Sequence, residues 1–216
     1  MSHSKKIIAA ARREYGNCEL LEATVSPDPF VQFEHWFQDA LNANMVDPNA
    51  MTVATVDANG LPDVRVLLLK EFDKNGFVFF THYRSPKAIQ AEKSGHIALN
   101  FYWNTFARQV KIKGTIARVS RQESEDYFAS RPRNSQICTA ASDQSNVITN
   151  REALENKVKA AFDYFEGKPV PCPTDWGGYR VTPYEFEFFQ GRDNRLNDRL
   201  RYTKTNNAWQ IERLSP

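Results

Sequence analysis

The chain has 216 residues, of which 41% are hydrophobic and 12% aromatic, so it has ample material for a core and is too apolar for a disordered protein. Its 28 Lys and Arg residues against 26 Asp and Glu give a net charge of +2, which excludes a nucleic-acid partner held by overall charge alone. No apolar run approaches the roughly 18 residues of a membrane span, so no membrane partner is expected. The N-terminus is a poor signal peptide and the three cysteines are odd in number and far apart, which together predict a cytoplasmic protein.

The first predicted elements are helices. Residues 3–15 suit a short amphipathic helix, and residues 29–43 suit a second helix, because Ser26-Pro27-Asp28-Pro29 offers a cap and a proline in the first turn. The residues at helical spacing that should face a core are Phe30, Phe33, Trp36, Phe37 and Leu41.

From Met51 the hydrophobic period changes to that of strands. MTVATV, LPDVRVLLLKEF and FVFFT predict three strands, joined by the turns DANG and DKNG. A short helix at 85–93 and two further strands, IALNFYW and ARQVKIKGTIARV, follow. Met51 to Val119 is therefore predicted to be a β-meander.

Residues 120–166 are predicted to be helical. Ser120 and Glu123 form a capping-box pattern, and Gly167 suits the C-terminal end of the last helix. A final β-section comprises YRVTP, YEFEFFQG, DRLRYTK and WQIERL. Because strands and helices do not alternate, the order predicts a mainly β fold with α, an antiparallel barrel with helices packed outside.

Several kinds of catalytic chemistry lack their sequence patterns. The four histidines have no metal-ligand spacing with Cys, Asp or Glu, so structural or surface roles and no metal site are expected. GxSxG, HExxH, GxxxxGK[ST] and GxGxxG are absent, and Gly177-Gly178 reads only as a turn before a strand. If the protein is an enzyme, a bound organic cofactor should carry the reaction.

Arg65 and Lys70 bracket the apolar strand segment RVLLLK. Five residues apart, they fall on opposite faces of a regular strand and should serve two different sites, unless a bulge realigns them. The alternative is two cations at strand ends that reach into water.

Tyr127, Arg131 and Ser135 recur every four residues, as one stripe of a helix. Their hydroxyl and guanidinium groups are the donors that a phosphate dianion needs, although a helix-end cap would use the same residues. Pro132 makes regular helix at Arg131 less favourable.

Two further polar segments have functional and structural interpretations. Residues 142–146 (SDQSN) form a loop dense in donors, or simply a turn. Arg195, Asn197 and Arg199 share one face if extended, and a solvated edge strand is the alternative.

In this order the segments resemble the pyridoxamine 5′-phosphate oxidase family, the FMN enzymes that make pyridoxal 5′-phosphate. The resemblance runs from Arg12–Tyr15 to the terminal WQIERLSP. Its strongest stretches are RVLLLK, GFVFFTHYRSPK, FYWNTFARQV, YFASRPRNSQI, SDQSNVI, WGGYRV and FFQGRDNRLNDR. It implies a split β-barrel working as a homodimer with two FMN molecules at the subunit interface. Residues 29–216 would form a single domain after a mobile segment, 1–28, that covers bound substrate.

The resemblance also implies site residues. Those binding FMN would be Arg65, Val66, Leu67, Leu68, Leu69, Lys70, Phe80, Thr81, Lys87, Gln109, Gln144, Ser145, Phe189 and Arg199. Those binding substrate would be Arg12, Tyr15, Lys70, Tyr127, Arg131, Ser135, Arg195 and Asn197. Of these, Arg195 and Asn197 would also be catalytic. Lys87 would pair with the FMN phosphate, and the substrate phosphate would lie among Lys70, Tyr127, Arg131 and Ser135.

Three positions depart from the family pattern. Pro86 replaces Arg in S-R-K, Phe189 replaces the Trp of E-F-W-Q-G, and Asn197 replaces the His of R-L-H-D-R. The first loses a cation, the second loses an indole N–H donor, and the third cannot carry a proton at neutral pH.

The implied activity is oxidation of pyridoxamine 5′-phosphate and pyridoxine 5′-phosphate to pyridoxal 5′-phosphate. Hydride would leave the C4′ carbon of the substrate for N5 of FMN, and O2 would reoxidise the flavin to give H2O2. Two alternatives stay open: a split-barrel flavin oxidase acting on another small ring, and a non-catalytic protein that binds FMN or pyridoxal phosphate.

Overall fold

The computed structural model describes residues 18–206 and 208–216, so the predicted helix at 3–15 and the predicted site residues Arg12 and Tyr15 lie outside the described residues. The described strands are β1 Ala50–Val56, β2 Pro62–Leu68, β3 Glu71–Asp73, β4 Gly76–His82, β5 His96–Trp103, β6 Arg108–Arg118, β7 Trp176–Gln190, β8 Asp198–Thr205 and β9 Ala208–Arg213. The described α-helices are α1 Pro29–Asn42, α2 Pro86–Ser94, α3 Arg121–Ser130, α4 Arg133–Ala141 and α5 Arg151–Phe165. Within this part of the chain, no helix is long and apolar enough to cross a membrane.

The strands hydrogen-bond in the order β2-β1-β5-β6-β7-β4-β3, with β8 paired to β7 and β9 to β8. β1 with β2 and β3 with β4 are antiparallel hairpins, and β4 with β7 is also antiparallel. The prediction of a meander from Met51 to Val119 is therefore wrong, because β2 and β3 follow each other in the chain but stand at opposite ends of this order.

The segment predicted as one strand, LPDVRVLLLKEF, is two strands with a change of partner between them. The N–H of Leu69 donates to the carbonyl of Asn49, just before β1, at 2.9 Å. The next N–H, of Lys70, donates to the carbonyl of Val78 in β4, also at 2.9 Å. The chain thus leaves one neighbour and joins another within two residues. The break removes Lys70 from the regular alternation of β2.

The predicted break at Pro183 is absent, because β7 runs through it. β7 pairs with β4 from Trp176 to Val181 and with β8 from Glu185 to Gln190. Pro183 lies between these two paired stretches, where its missing N–H removes no bond to either strand.

The described chain divides into two compact units. The terminal unit comprises 18–48, Asn100–Ile112 and Tyr184–Pro216, and the central unit comprises Asn49–Leu99 and Lys113–Pro183. Each has an aromatic-rich core of its own. The prediction of a single domain over 29–216 stays a prediction.

In the terminal unit, α1 begins as predicted. The side chain of Asp28 accepts a hydrogen bond from the N–H of Phe30 at 2.8 Å, and Pro29 occupies the first turn. The buried faces of Phe33 and Trp36 pack on Phe101 and Phe188, with ring centroids 5.0 and 5.3 Å apart. Burying rings of this size supplies much of the stability of a small core.

Leu41 is the exception in α1, because 43% of its side chain is exposed. Ala40, four residues after Trp36 and seven after Phe33, occupies the buried position instead. At 100° per residue, Leu41 lies beyond the edge of that face.

In the central unit, the predicted helix signals are confirmed. The hydroxyl of Ser120 accepts from the N–H of Glu123, and the carboxylate of Glu123 accepts from the N–H of Ser120, a complete capping box at the start of α3. Gly167 follows α5 with φ of 67°, the left-handed conformation that favours glycine.

Candidate functional site

A cavity of about 770 Å³ lies in the central unit, a size typical of small-molecule sites. Its lining comes from the end of β2, the end of β4, helices α3 and α4 with the loop that follows, and the first residue of β7. Apolar and polar side chains share this lining. The cavity can therefore hold a ligand with both a flat apolar part and a charged part.

The four residues predicted to hold the substrate phosphate all line this cavity: Lys70, Tyr127, Arg131 and Ser135. Together they offer an ammonium, a guanidinium and two hydroxyls, all of which can donate to phosphate oxygens. The structure thus brings together residues that lie up to 65 positions apart in the chain.

The stripe from Tyr127 to Ser135 is not one helix. α3 ends at Ser130, Arg131 is extended with φ −74° and ψ 150°, and α4 begins after Pro132. The disturbance expected from Pro132 is confirmed, since the residue before a proline avoids the helical region. The second helix resumes at once, so the side chains on both sides of the break still reach the same cavity.

Aromatic rings form one wall. The rings of Phe80 and Tyr127 are stacked, with centroids 3.8 Å apart and planes 16° apart, and Trp176 is stacked on Phe80 at 5.4 Å. The guanidinium carbon of Arg131 lies 5.1 Å from the centroid of the Trp176 ring. Burial raises the pKa of Tyr127, so its hydroxyl keeps its proton near neutral pH and can donate a hydrogen bond.

A second polar cluster adjoins the cavity around Lys87. The hydroxyl of Thr81 donates to the side-chain oxygen of Gln144 at 2.9 Å, and the ammonium of Lys87 donates to the same oxygen at 3.1 Å. Thr81 and Gln144 are themselves part of the cavity lining. Burial, together with the nearby charge of Arg65, lowers the pKa of Lys87. Lys87 is a partly buried ammonium beside a second cation, and a bound anion would stabilise its charged form.

Arg65 and Lys70 lie in different surroundings, and the prediction that they serve two different sites stays a prediction. Arg65 donates to the hydroxyl of Thr55 at 2.7 Å and pairs with Asp63. Lys70 lines the cavity, at the point where the chain changes strand partner. The change of partner, and not the alternation of a regular strand, separates them.

The other predicted flavin residues of the central unit divide into two groups. Val66, Leu67 and Leu68 line the cavity, whereas Leu69 is buried in the core with 4% of its surface exposed. Ser145 is exposed and left-handed, with φ of 70°. The roles of all five residues toward a flavin stay predictions.

The structure adds cavity residues that the sequence did not indicate. His82, expected to be structural or on the surface, lines the cavity with 7% of its surface exposed, and burial lowers the pKa of its imidazole. Thr139 and Trp176 also line it. Gly177 and Gly178 lie inside β7 and not in a turn, so that interpretation is wrong. A Cβ atom at Gly177 would clash with the Tyr83 hydroxyl. Two glycines inside an apolar strand pattern mark such a close approach, and this was the usable signal in the sequence.

The remaining predicted residues belong to the terminal unit. Arg195, Asn197 and Arg199 would share one face only if the chain were extended, and it is not extended here, because Asp193–Arg195 is a 3-10 turn in which Asn194 and Arg195 have φ of 57° and 60°. β8 begins only at Asp198. The side-chain oxygen of Asn197 accepts from the N–H of Arg192 at 2.9 Å, which closes the turn, while Arg195 is exposed.

Arg199 is anchored inside the terminal unit. It donates to Glu187 at 2.9 Å and to the carbonyl of Ser215 at 2.8 Å, and the buried Glu187 also pairs with Lys111. Phe189 stands opposite Arg199 in the β7–β8 register. Gln109, near the start of β6, is half-buried.

Comparison with known proteins gives matches along the whole chain. A family model described as "Pyridoxamine 5'-phosphate oxidase" matches residues 37–165, and one described as "Pyridoxine 5'-phosphate oxidase C-terminal dimerisation region" matches residues 176–216. A pyridoxine/pyridoxamine 5′-phosphate oxidase of Gloeothece citriformis is 50% identical, covering 97% of this chain and 98% of its own. The Rubrobacter xylanophilus protein of the same name is 46% identical, covering 99% and 98%.

Solved structures agree with the fold. PhzG from Burkholderia lata 383, solved in complex with tetrahydrophenazine-1-carboxylic acid, superposes with a TM-score of 0.87 at 27% identity, covering 94% of this chain and 100% of its own. A pyridoxamine 5′-phosphate oxidase-related, FMN-binding protein from Nostoc punctiforme reaches 0.70 at 18% identity, covering 88% and 99%, a likeness of fold alone. The predicted mainly β split-barrel fold with helices is confirmed.

Proposed function

Because the chain belongs to the pyridoxamine 5′-phosphate oxidase family, we propose that it oxidises pyridoxamine 5′-phosphate and pyridoxine 5′-phosphate to pyridoxal 5′-phosphate. The cofactor would be FMN and the electron acceptor O2, which leaves as H2O2. The observation that carries the proposal is the convergence of Lys70, Tyr127, Arg131 and Ser135 on one cavity. A phosphorylated substrate needs such a set of donors, and an unphosphorylated ring does not.

The residues around the cavity also suit FMN. The partly buried Lys87, with Thr81, Gln144 and the neighbouring Arg65, offers charge and hydrogen bonds to a second phosphate. Val66, Leu67 and Leu68 offer an apolar surface to a flat ring system. The proposed roles of Gln109, Phe189, Arg195, Asn197 and Arg199 in the same reaction follow from their positions in the matched segments.

In the reaction, the protein would bind FMN and the substrate and orient them toward each other. Bound FMN would supply the hydride acceptor and the means of passing electrons to O2. Arg131, Lys70 and Ser135 would fix the substrate by its phosphate, and the stacked rings of Tyr127 and Phe80 would shield the reacting carbon from water. The protonated hydroxyl of Tyr127 would donate to the phosphate, and no side chain of the cavity needs to accept a proton for this role.

We propose further that the protein is a homodimer, because residues 176–216 match a dimerisation region. A location in the cytoplasm stays a prediction.

The purified protein tests the proposal directly. We expect a yellow protein whose flavin absorbance is lost on anaerobic mixing with pyridoxamine 5′-phosphate and returns with O2. The products should be pyridoxal 5′-phosphate, ammonia released by hydrolysis of the oxidised amine, and H2O2. Pyridoxamine without phosphate is the matched control, and it should be a poor substrate that bleaches the flavin only weakly. Bleaching by another ring compound alone would favour an oxidase with a changed substrate, and a flavin that nothing bleaches would favour a binding protein.

A further inference from the structure

Arg131, like Lys87, is a cation near the cavity that neutral groups hold. Among residues 18–206 and 208–216, no carboxylate lies within 4.0 Å of its guanidinium, although the side chain is half-buried. Its one hydrogen bond from the guanidinium within this part of the chain runs from Nη1 to the hydroxyl of Thr139, at 2.8 Å. The positive charge of Arg131 is thus oriented by a neutral group and left available to an anion.

Three contacts together restrict this arginine. Thr139 in α4 is nearly buried, with 9% of its surface exposed, so its hydroxyl is a fixed acceptor. The Trp176 ring lies beneath the guanidinium, 5.1 Å from ring centroid to guanidinium carbon. The side chain of Gln136 donates to the backbone carbonyl of Arg131 at 2.9 Å, which fixes the main chain after the end of α3.

A free arginine side chain has several rotatable bonds, and immobilising it when a ligand binds is unfavourable. A hydroxyl that fixes the guanidinium beforehand removes part of that unfavourable entropy. A carboxylate in the same place would also fix it, but would neutralise the charge that a phosphate needs. A threonine hydroxyl orients the guanidinium and leaves its charge intact.

We propose that Thr139 is a positioning residue that orients Arg131 in the cavity and thereby sets the preference for phosphorylated over unphosphorylated substrates. This inference rests on the proposed function, in which Arg131 binds the substrate phosphate. Thr139 would act only through Arg131 and would not contact the reacting atoms.

The test compares Thr139→Val, which keeps the shape and removes the hydroxyl, with Thr139→Ser, which keeps the hydroxyl. In the FMN-loaded protein, Thr139→Val should raise the KM for pyridoxamine 5′-phosphate about fivefold to tenfold, or about 1–1.4 kcal/mol. Its kcat and FMN content should stay within about twofold of the parent, and Thr139→Ser should restore the KM. The KM for unphosphorylated pyridoxamine should not change, and Thr149→Val, at an exposed threonine of the same unit, is the matched control.

A double-mutant cycle tests whether Thr139 changes the KM through Arg131. In an Arg131→Ala background, Thr139→Val should have no further effect on KM, since the side chain it positions is gone. An equal rise in KM for both substrates, a failure of Thr139→Ser to restore the parent value, or an undiminished effect without Arg131 would each overturn the proposal. Thr139→Ala replaces Thr139→Val if the latter does not fold.

A binding measurement separates this inference from the proposed function. Titration of the purified protein with inorganic phosphate should show weaker binding in Thr139→Val than in the parent and Thr139→Ser, whether or not the protein oxidises pyridoxamine 5′-phosphate. Equal phosphate binding in all three would overturn the role of Thr139. Lack of oxidation with a preserved difference in phosphate binding would overturn the proposed function alone.

Discussion

Two segments of the molecule hold arginines in opposite ways: the wall segment, residues 127–139 of the central unit, and the turn segment, residues 192–198 of the terminal unit. In the wall segment, Arg131 is oriented by a hydroxyl and a ring. In the turn segment, Arg192 pairs with Glu19 at 3.1 Å and with the buried Asp198 at 3.3 Å. The charge of Arg131 is therefore available to a ligand, whereas the charge of Arg192 is neutralised within the protein.

The difference separates the roles of these two arginines. Arg131, a half-buried cation without a carboxylate partner, would be stabilised by a bound anion, whereas Arg192 already has two carboxylate partners. By this criterion Arg131 belongs to ligand binding and Arg192 to the turn itself. Arg195, exposed in the same turn, is the member of the turn segment that could still meet a ligand.

The largest effect should come from Arg131→Ala. Removing the guanidinium should weaken binding of pyridoxamine 5′-phosphate by roughly 2–4 kcal/mol, the range for removing one partner of a buried charge pair. FMN content should stay near normal, because Lys87 and its partners form a separate cluster. Calorimetric titration and flavin absorbance measure the two quantities independently.

Arg133→Ala is the control for that experiment. Arg133 donates to the carbonyls of Phe165 and Lys168 at the end of α5, so its loss should reduce stability without changing substrate affinity. Equal loss of FMN and substrate in Arg131→Ala would show that the two proposed phosphate sites are one.

A pH dependence should follow from His82 in the cavity wall. Burial lowers the pKa of His82 below 6.5, with Asp175 and Asp143 acting in the opposite direction and Lys87 and Arg84 in the same one. The unfolded chain therefore binds the proton at higher pH, and stability should fall as pH decreases from 6.5 through the folded-state pKa, by at most about 1.4 kcal/mol per pH unit.

Urea unfolding between pH 7.5 and pH 5.5 measures this slope. His82→Gln should flatten it, and His35→Gln, at an exposed histidine of α1, should leave it unchanged. A bound phosphorylated ligand should also flatten it, since an anion in the cavity favours the charged imidazole. A slope that survives in His82→Gln would assign it to other groups.

Asn197 tests whether the turn segment acts through its shape. Asn197→Ala removes the acceptor for the N–H of Arg192 and should destabilise the turn by about 1 kcal/mol. Asn197→Asp keeps that acceptor and should retain most of the stability. If both variants lower kcat/KM equally while stability differs, the amide of Asn197 contacts substrate; if activity follows stability, it acts only through the turn.

The smallest effect concerns Glu22, which pairs with Arg213 at 2.7 Å. Hydrogen bonding from Arg213 lowers the pKa of Glu22 from 4.5 to about 2. The folded-state pKa is depressed, so the stabilisation is present above pH 4.5 and is lost as pH falls toward 2.

Both partners are more than one-third exposed, so solvent screening limits this contribution to about 0.2–1 kcal/mol. Glu22→Gln should therefore reduce the unfolding free energy slightly at pH 7 and less at pH 3. Glu34→Gln, at an exposed position of α1, is the control. An equal reduction at both pH values would contradict an ionic origin.

Local signals predicted much of the fold because their physics is local. The cap of α1 at Asp28 and the capping box of Ser120 and Glu123 are satisfied within four residues of chain, so neighbouring sequence contains the whole interaction. The change of partner at Leu69 and Lys70 was not predictable, because the apolar run before it looks the same whichever strand it pairs with.

The site residues divide in the same way, into those with a local sequence signal and those placed by tertiary packing. Spacing identified the donors at Tyr127, Arg131 and Ser135. The spacing still places them together because only two residues, Arg131 and Pro132, separate the two helices. Thr139 and Trp176 were missed because their role is to contact the guanidinium of Arg131. Only tertiary packing brings these residues together. The 3-10 turn of the turn segment was not predictable, because left-handed residues at Asn194 and Arg195 carry no glycine signal.

The change of partner at Leu69 and Lys70 also bears on the order of folding. Both hydrogen bonds close short loops, to Asn49 and Val78, whereas Phe77 pairs with Val181 across about a hundred residues. Because loop-closure entropy grows with separation, the two hairpins that fix Lys70 should form before β7 joins β4. The cavity, which needs Trp176, would then be completed last, and during refolding the capture of pyridoxal 5′-phosphate should lag behind the protection of amide protons in β1 to β4.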